Sequence, residues 1–161
     1  MPPAAAPLQQ GPPQEYAASL AESTSMTDDE FLARLADCTL PKEHFNHLGH
    51  LRLACLQLQR HRFDAAVQHT CEGIRRYATH LGAADKFHWT LTQALMHLLQ
   101  AAGAAAPGLV WTEVVAANAA LVANARARVG QHYSDELLGS AAARTHFVAP
   151  DRASLPPLKS A

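Results

Sequence analysis

Three histidines in two segments are the residues of this chain whose type and spacing could do chemistry. His47 and His50 lie three residues apart in the segment FNHLGHL (45–51), and His88 lies further along the chain in FHWT (87–90). Residues three apart on a helix project from one surface, and helical bundles build metal sites from such pairs with ligands from a facing helix. We therefore expect His47, His50 and His88 to bind a divalent transition metal, zinc or iron, with one coordination position open.

Such a centre would activate water as a nucleophile or base near neutral pH, or dioxygen if the metal is iron. Thr92 lies one turn after His88 on the same predicted helix face, where its hydroxyl could orient a ligand or a bound water. We interpret the chain as a small helical metalloprotein that acts on a small organic substrate, with His47, His50, His88 and Thr92 as its catalytic residues. The sequence leaves open whether the chain is an enzyme.

The same histidines also fit a site without a metal. A histidine on an apolar helix face can simply hydrogen-bond to a carbonyl or a carboxylate, and the H-x-x-H pattern is common by chance. The alternative function is a metal-free helical module that binds a small ligand or a protein and whose inward histidines are structural. A third is metal-free acid–base catalysis by His47 or His88. His44 extends the row as either a fourth ligand or a residue near solvent at the helix start.

Composition argues against several classes of partner. The net charge is −1, with no basic stripe, which argues against nucleic acid. No stretch approaches the roughly 20 apolar residues of a transmembrane helix. The three cysteines are odd in number and lack C-x-x-C spacing, which favours reduced thiols and a cytoplasmic location. We therefore expect a small-molecule partner, no nucleic acid and no membrane.

Patterning along the 161 residues predicts one helical domain with a tail at each end. Residues 1–25 hold five of the ten prolines and no hydrophobic periodicity, so we expect a flexible, disordered tail. Residues 151–161 are expected to extend over the surface. Residues 26–150 show apolar positions at helical spacing and no strand alternation. The fold class is therefore all-α, a compact bundle of four to five helices.

Start and stop signals place these helices. Thr27 and Glu30 form a capping box before a short first helix that ends near Cys38. The following helices are expected over about Lys42 to Arg60, Phe63 to Leu81 with Gly82 as its stop, Ala84 to Ala102 and the apolar stripe 111–125, with a short helical turn around 134–143.

Side chains off the main apolar stripes carry further expectations. Arg52 is predicted to be a solvated helix residue. Leu53, Leu56 and Val110 indicate either a homodimer surface or a covering helix. The remaining histidines predicted at the surface are His61, His69, His80 and His97.

Three stretches together resemble an uncharacterised family of small bacterial all-helical proteins with F-x-H-x-x-H-L-x-x-A and (Y/F)-H-x-T-(I/L)-T motifs. They are FNHLGHLRLA (45–54), FHWTLT (87–92) and the segment 133–151, and the match spans roughly residues 30–155. The resemblance implies that His47, His50 and His88 belong to one recurring constellation. Trp89 stands where a glutamate is common and Leu48 where a basic residue is common, so the resemblance favours an all-nitrogen site.

Overall fold

Every regular element in the described part of the chain is helical. The computed structural model describes residues 26–158, which confirms the all-α prediction for this range. The predicted tail 1–25 and residues 159–161 lie outside the described residues, and 151–158 contain no helix. The helices are α1 (Asp28–Ala36), α2 (His47–Arg60), α3 (Phe63–His80), α4 (Trp89–Ala101), α5 (Trp111–Ala117), α6 (Ala119–Ala123), α7 (Ala125–Val129), α8 (Asp135–Leu138) and α9 (Ala141–Thr145).

Helix α2 lies at the centre of the packing. It contacts α3, α4 and α5, and most of its side chains are buried, so it needs cover on more than one side. Leu53 and Leu56 supply that second buried side, where they cluster with Phe31 and Leu35 of α1. A covering helix of the same chain therefore explains why these two leucines lie off the main apolar stripe. None of the described helices is both long and apolar enough to cross a membrane.

Local signals placed two helix ends correctly. The Thr27 hydroxyl accepts a hydrogen bond from the Glu30 N–H at 3.1 Å, which caps α1 as predicted. At the end of α3, Gly82 adopts a φ of 73°, the left-handed conformation that glycine tolerates without strain. Both signals depend on residues within one turn of the helix end, so tertiary structure does not override them.

The helix expected from Lys42 is interrupted between His44 and His47. Lys42–His44 forms a separate 3-10 turn, and α2 begins only at His47. Asn46 causes the break, since its side-chain oxygen accepts the Gly49 N–H at 3.0 Å and caps the new helix. His44 thus lies outside α2, and the expected continuous row of three histidines on one helix is wrong.

The helix expected over residues 111–125 is divided into three short ones. Asn118 and Asn124 lie at the two breaks, with φ values of −125° and −139°. The Asn118 amide donates to the Val114 carbonyl at 2.9 Å, a local bond that competes with helix continuation. The result is the sequence α5, α6 and α7, of which the last two contain five residues each.

Arg52 is buried, which corrects its prediction as a solvated residue. Its side chain is 2% exposed, and its guanidinium donates to the Asp28 carboxylate at 2.8 Å and the Met26 carbonyl at 2.7 Å. The guanidinium carbon lies 4.6 Å from the ring centre of Phe31 and 5.3 Å from that of Trp111. The first helix thus covers a charge that a helical wheel places in water.

Candidate functional site

His47 and His50 line one pocket, as their spacing on α2 predicts. The pocket has a volume of about 630 Å³, within the range of roughly 300–1,000 Å³ typical of small-molecule sites. It lies between α2, α3 and α4, and residues of α6 and α7 form a further wall. Its apolar lining comes mainly from Phe45, Ala54, Ile74, Leu91, Leu95, Met96 and Val129.

His50 presents one hydrogen-bond-accepting nitrogen at this site. Its Nδ1 lies 2.8 Å from the Asn46 carbonyl oxygen, so Nδ1 carries the proton and Nε2 carries the lone pair. The ring stacks on Phe45 with centroids 4.2 Å apart. Burial lowers the pKa of His50; the bond to the Asn46 carbonyl opposes that shift and the nearby His47 adds to it. His50 is therefore a neutral imidazole near pH 7, and the lone pair of Nε2 is its remaining hydrogen-bond acceptor.

Thr70 contributes a hydroxyl that the sequence did not assign to any site. The residue is fully buried in the middle of α3 and lies in the wall of the pocket. Its Oγ1 has no hydrogen-bond partner among residues 26–158. An unsatisfied buried hydroxyl costs about 1–3 kcal/mol. The only signal in the sequence was a threonine on an otherwise apolar helix face, which is more often a core residue.

His88 does not join this pocket, and both of its ring nitrogens hold the fold together. Nδ1 accepts the Leu91 N–H at 3.0 Å, which makes His88 the N-cap of α4, and Nε2 donates to the Leu138 carbonyl at 2.6 Å. A metal ligand needs a free lone pair, and here the Leu91 N–H occupies the only one. The helix expected from Ala84 accordingly starts at Trp89, after a 3-10 turn over Ala84–Lys86.

The described residues do not fit the predicted three-histidine metal centre. Between residues 26 and 158, no group of three or more His, Cys, Asp or Glu side chains is placed to hold a metal ion. His47 and His50 share the pocket, while His88 is committed to the cap of α4. The geometry therefore gives no support to zinc or iron bound by this set.

Thr92 lines the pocket, but its hydroxyl already donates its hydrogen to a hydrogen bond within the protein. Its Oγ1 donates to the His88 carbonyl at 2.8 Å, so the hydroxyl can only accept a bond from a ligand. Phe45 also lines the pocket, whereas Phe87 and Trp89 are not among its lining residues and pack edge to face against each other.

We expect His88→Ala to destabilise the protein by about 2 kcal/mol, because it removes the cap of α4 and leaves the Leu138 carbonyl without its donor. His88→Asn keeps a side-chain acceptor at the cap position and should recover roughly half of that loss. Thermal denaturation of the two variants measures the difference. Equal destabilisation by alanine and asparagine would contradict the capping role of His88.

No family model matches the chain, and neither a curated protein nor a solved structure matches it. The resemblance to small bacterial helical proteins therefore stays a prediction. The fold and the site together define a class: an all-helical protein with an apolar pocket whose polar groups converge from α2, α3 and α4.

Proposed function

We propose that this protein binds a small organic molecule in the pocket, without a metal. The observation that carries the proposal is the buried Thr70 hydroxyl, unpartnered in the described structure, in a wall shared with the His50 imidazole. A ligand group that hydrogen-bonds to Thr70 recovers the free energy that the unpaired hydroxyl costs. The proposal follows the metal-free alternative expected from the sequence, but it makes His50 a binding residue where that alternative made the histidines structural.

The chemistry of the wall specifies the ligand in part. The neutral His50 offers an acceptor, so the ligand needs a hydroxyl or N–H group to donate to Nε2. The walls are mostly aliphatic, so the body of the ligand should be apolar and gain about 25 cal/mol for each Å² that it buries. Small alcohols and phenols with an alkyl or aryl body have this combination.

We place this function in the cytoplasm. Cys38, Cys55 and Cys71 are all free thiols. Burial raises the pKa of Cys55 and of Cys71 to about 12, so these two remain protonated and unreactive near neutral pH. Unpaired thiols of this kind are typical of a reducing compartment.

The binding test compares 1-octanol with heptyl methyl ether, which has the same atoms but no donor. We expect the alcohol to bind more tightly by about tenfold, the value of one hydrogen bond to His50. Calorimetric titration measures both affinities. Protonation of His50 would remove the acceptor. Because burial lowers the pKa of His50 below the ordinary value of 6.5, the advantage of the alcohol should persist until the pH is well below that value. Equal affinity for the two probes at pH 7.5 would contradict the role of His50.

Thr70→Val tests the hydroxyl with a matched control on α4. We expect the variant to bind 1-octanol severalfold more weakly while losing no stability, since valine has a similar shape and removes the oxygen that has no partner among the described residues. Thr90 is equally buried, but its Oγ1 donates to the His146 carbonyl at 2.8 Å and accepts the Val148 N–H at 3.2 Å. Thr90→Val should therefore lose about 2 kcal/mol of stability and keep its affinity.

Two outcomes would overturn the proposal. One is unchanged affinity in Thr70→Val. The other is loss of binding when EDTA is added to wild-type protein, which would favour a metal held by His47 and His50 with further ligands from the bound molecule.

A further inference from the structure

Arg126 is the feature of the pocket that the proposed function does not use. It is the only Arg, Lys, Asp or Glu among the described residues that line the pocket. Its side chain is exposed on α7, so the guanidinium can stay hydrated while the pocket beside it is apolar. The position brings a fixed positive charge to the edge of an uncharged cavity.

Three of the described arginines form ion pairs with carboxylates. Arg34 pairs with Glu30, Arg52 with Asp28 and Arg60 with Asp29, whereas no carboxylate between residues 26 and 158 lies within ion-pair distance of Arg126. A guanidinium presents a planar fork of donors that matches a carboxylate with two parallel hydrogen bonds.

We propose that the natural ligand of the pocket is a carboxylate with an apolar body and a distal hydroxyl, a hydroxylated carboxylic acid. Its carboxylate binds Arg126 at the opening, its alkyl or aryl body occupies the apolar walls, and its hydroxyl donates to Nε2 of His50. Low-dielectric walls strengthen the field of a charge placed at the edge of a cavity, which favours an anion at this point. This inference rests on the proposed function and specifies the chemical class of its ligand.

The test titrates octanoate, 1-octanol and 8-hydroxyoctanoate into the full chain and two variants. In the wild type we expect octanoate to bind about tenfold more tightly than 1-octanol, and 8-hydroxyoctanoate to bind more tightly than octanoate. Arg126→Gln should weaken both carboxylates by about tenfold and change the affinity for 1-octanol by less than about twofold.

Arg128→Gln is the matched control for the general field of the helix. Arg128 is exposed on the same α7 but is not among the pocket residues, so its replacement should change each affinity by less than about twofold. Raising the salt concentration from about 0.02 M to about 0.5 M should lower the affinity for the two carboxylates and leave the affinity for 1-octanol unchanged.

The outcomes separate the two proposals. Binding of 1-octanol without a preference for octanoate, or equal losses in Arg126→Gln and Arg128→Gln, would overturn the carboxylate inference and leave the proposed function standing. Failure of all three probes to bind would overturn both. Circular dichroism of the variants checks that the exposed substitutions leave the helices intact.

Discussion

Replacing Arg52 with alanine is expected to destabilise the protein by about 3 kcal/mol. The substitution removes a side chain packed between Phe31 and Trp111 and leaves the Met26 carbonyl without its donor. Loss of packing dominates, because Asp28 is 41% exposed on its side chain and water can solvate its carboxylate once the guanidinium is gone. The melting temperature should fall by roughly 10 °C, measured by thermal denaturation.

Two further variants separate packing from charge. Arg52→Met keeps the apolar stem and brings no charge that needs a partner, so it should lose only about 1 kcal/mol. Arg60→Ala removes an ion pair to Asp29 whose members are both largely exposed, and should change the stability by less than about 0.5 kcal/mol. An Arg52→Ala variant as stable as Arg60→Ala would contradict the structural role of the buried guanidinium.

Gly49→Ala is expected to destabilise the protein by about 2 kcal/mol and to weaken ligand binding. A Cβ at this position would lie 2.3 Å from the backbone carbonyl oxygen of His44, and it would also approach the Phe45 ring at 3.5 Å. The 3-10 turn before α2 must therefore move, and the stacked pair of Phe45 and His50 moves with it. The strain exceeds the gain of about 1 kcal/mol that alanine brings to a helix. Chemical denaturation and titration with 1-octanol measure the two effects.

Gly73→Ala is the matched control, and it is expected to stabilise the protein where Gly49→Ala destabilises it. Gly73 is also a buried helical glycine, but a Cβ there would meet only Leu35 and Leu53 side-chain carbons at 3.8 Å, an ordinary contact. The helix propensity of alanine then acts alone and should stabilise the protein by about 0.5–1 kcal/mol. Equal stabilisation of both variants would contradict this prediction, because it would mean that the 3-10 turn at His44 moves without a loss of free energy.

The sequence predicted features whose causes are local. The cap of α1 at Thr27, the stop of α3 at Gly82 and the common surface of His47 and His50 all depend on residues within one turn of each other. It could not predict His88, because the usual N-cap residues are Ser, Thr, Asp and Asn, and because the second partner, Leu138, lies 50 positions away in the sequence. A histidine predicted to face inward has the same sequence pattern whether its imidazole caps a helix or binds a metal.

Packing of segments distant in the sequence explains the other differences between prediction and structure. His97 was expected at the surface, but Phe63 and Phe147 lie 4.6 Å and 5.9 Å from it between ring centroids, and its Nδ1 is buried without a partner among the described residues. Burial lowers the pKa of His97, as it does for His50. Helical periodicity shows which residues share a face, but it does not show which later segment covers that face.

The asparagine breaks that create α6 and α7 have a consequence for access to the pocket. Each of these helices has only five residues, too few for cooperative helix formation on its own, so this wall depends on its contacts with the rest of the fold. Local opening there costs less free energy than unfolding the three long helices. The wall that carries Arg126 can therefore act as the entrance through which a small molecule exchanges while the remaining bundle stays folded.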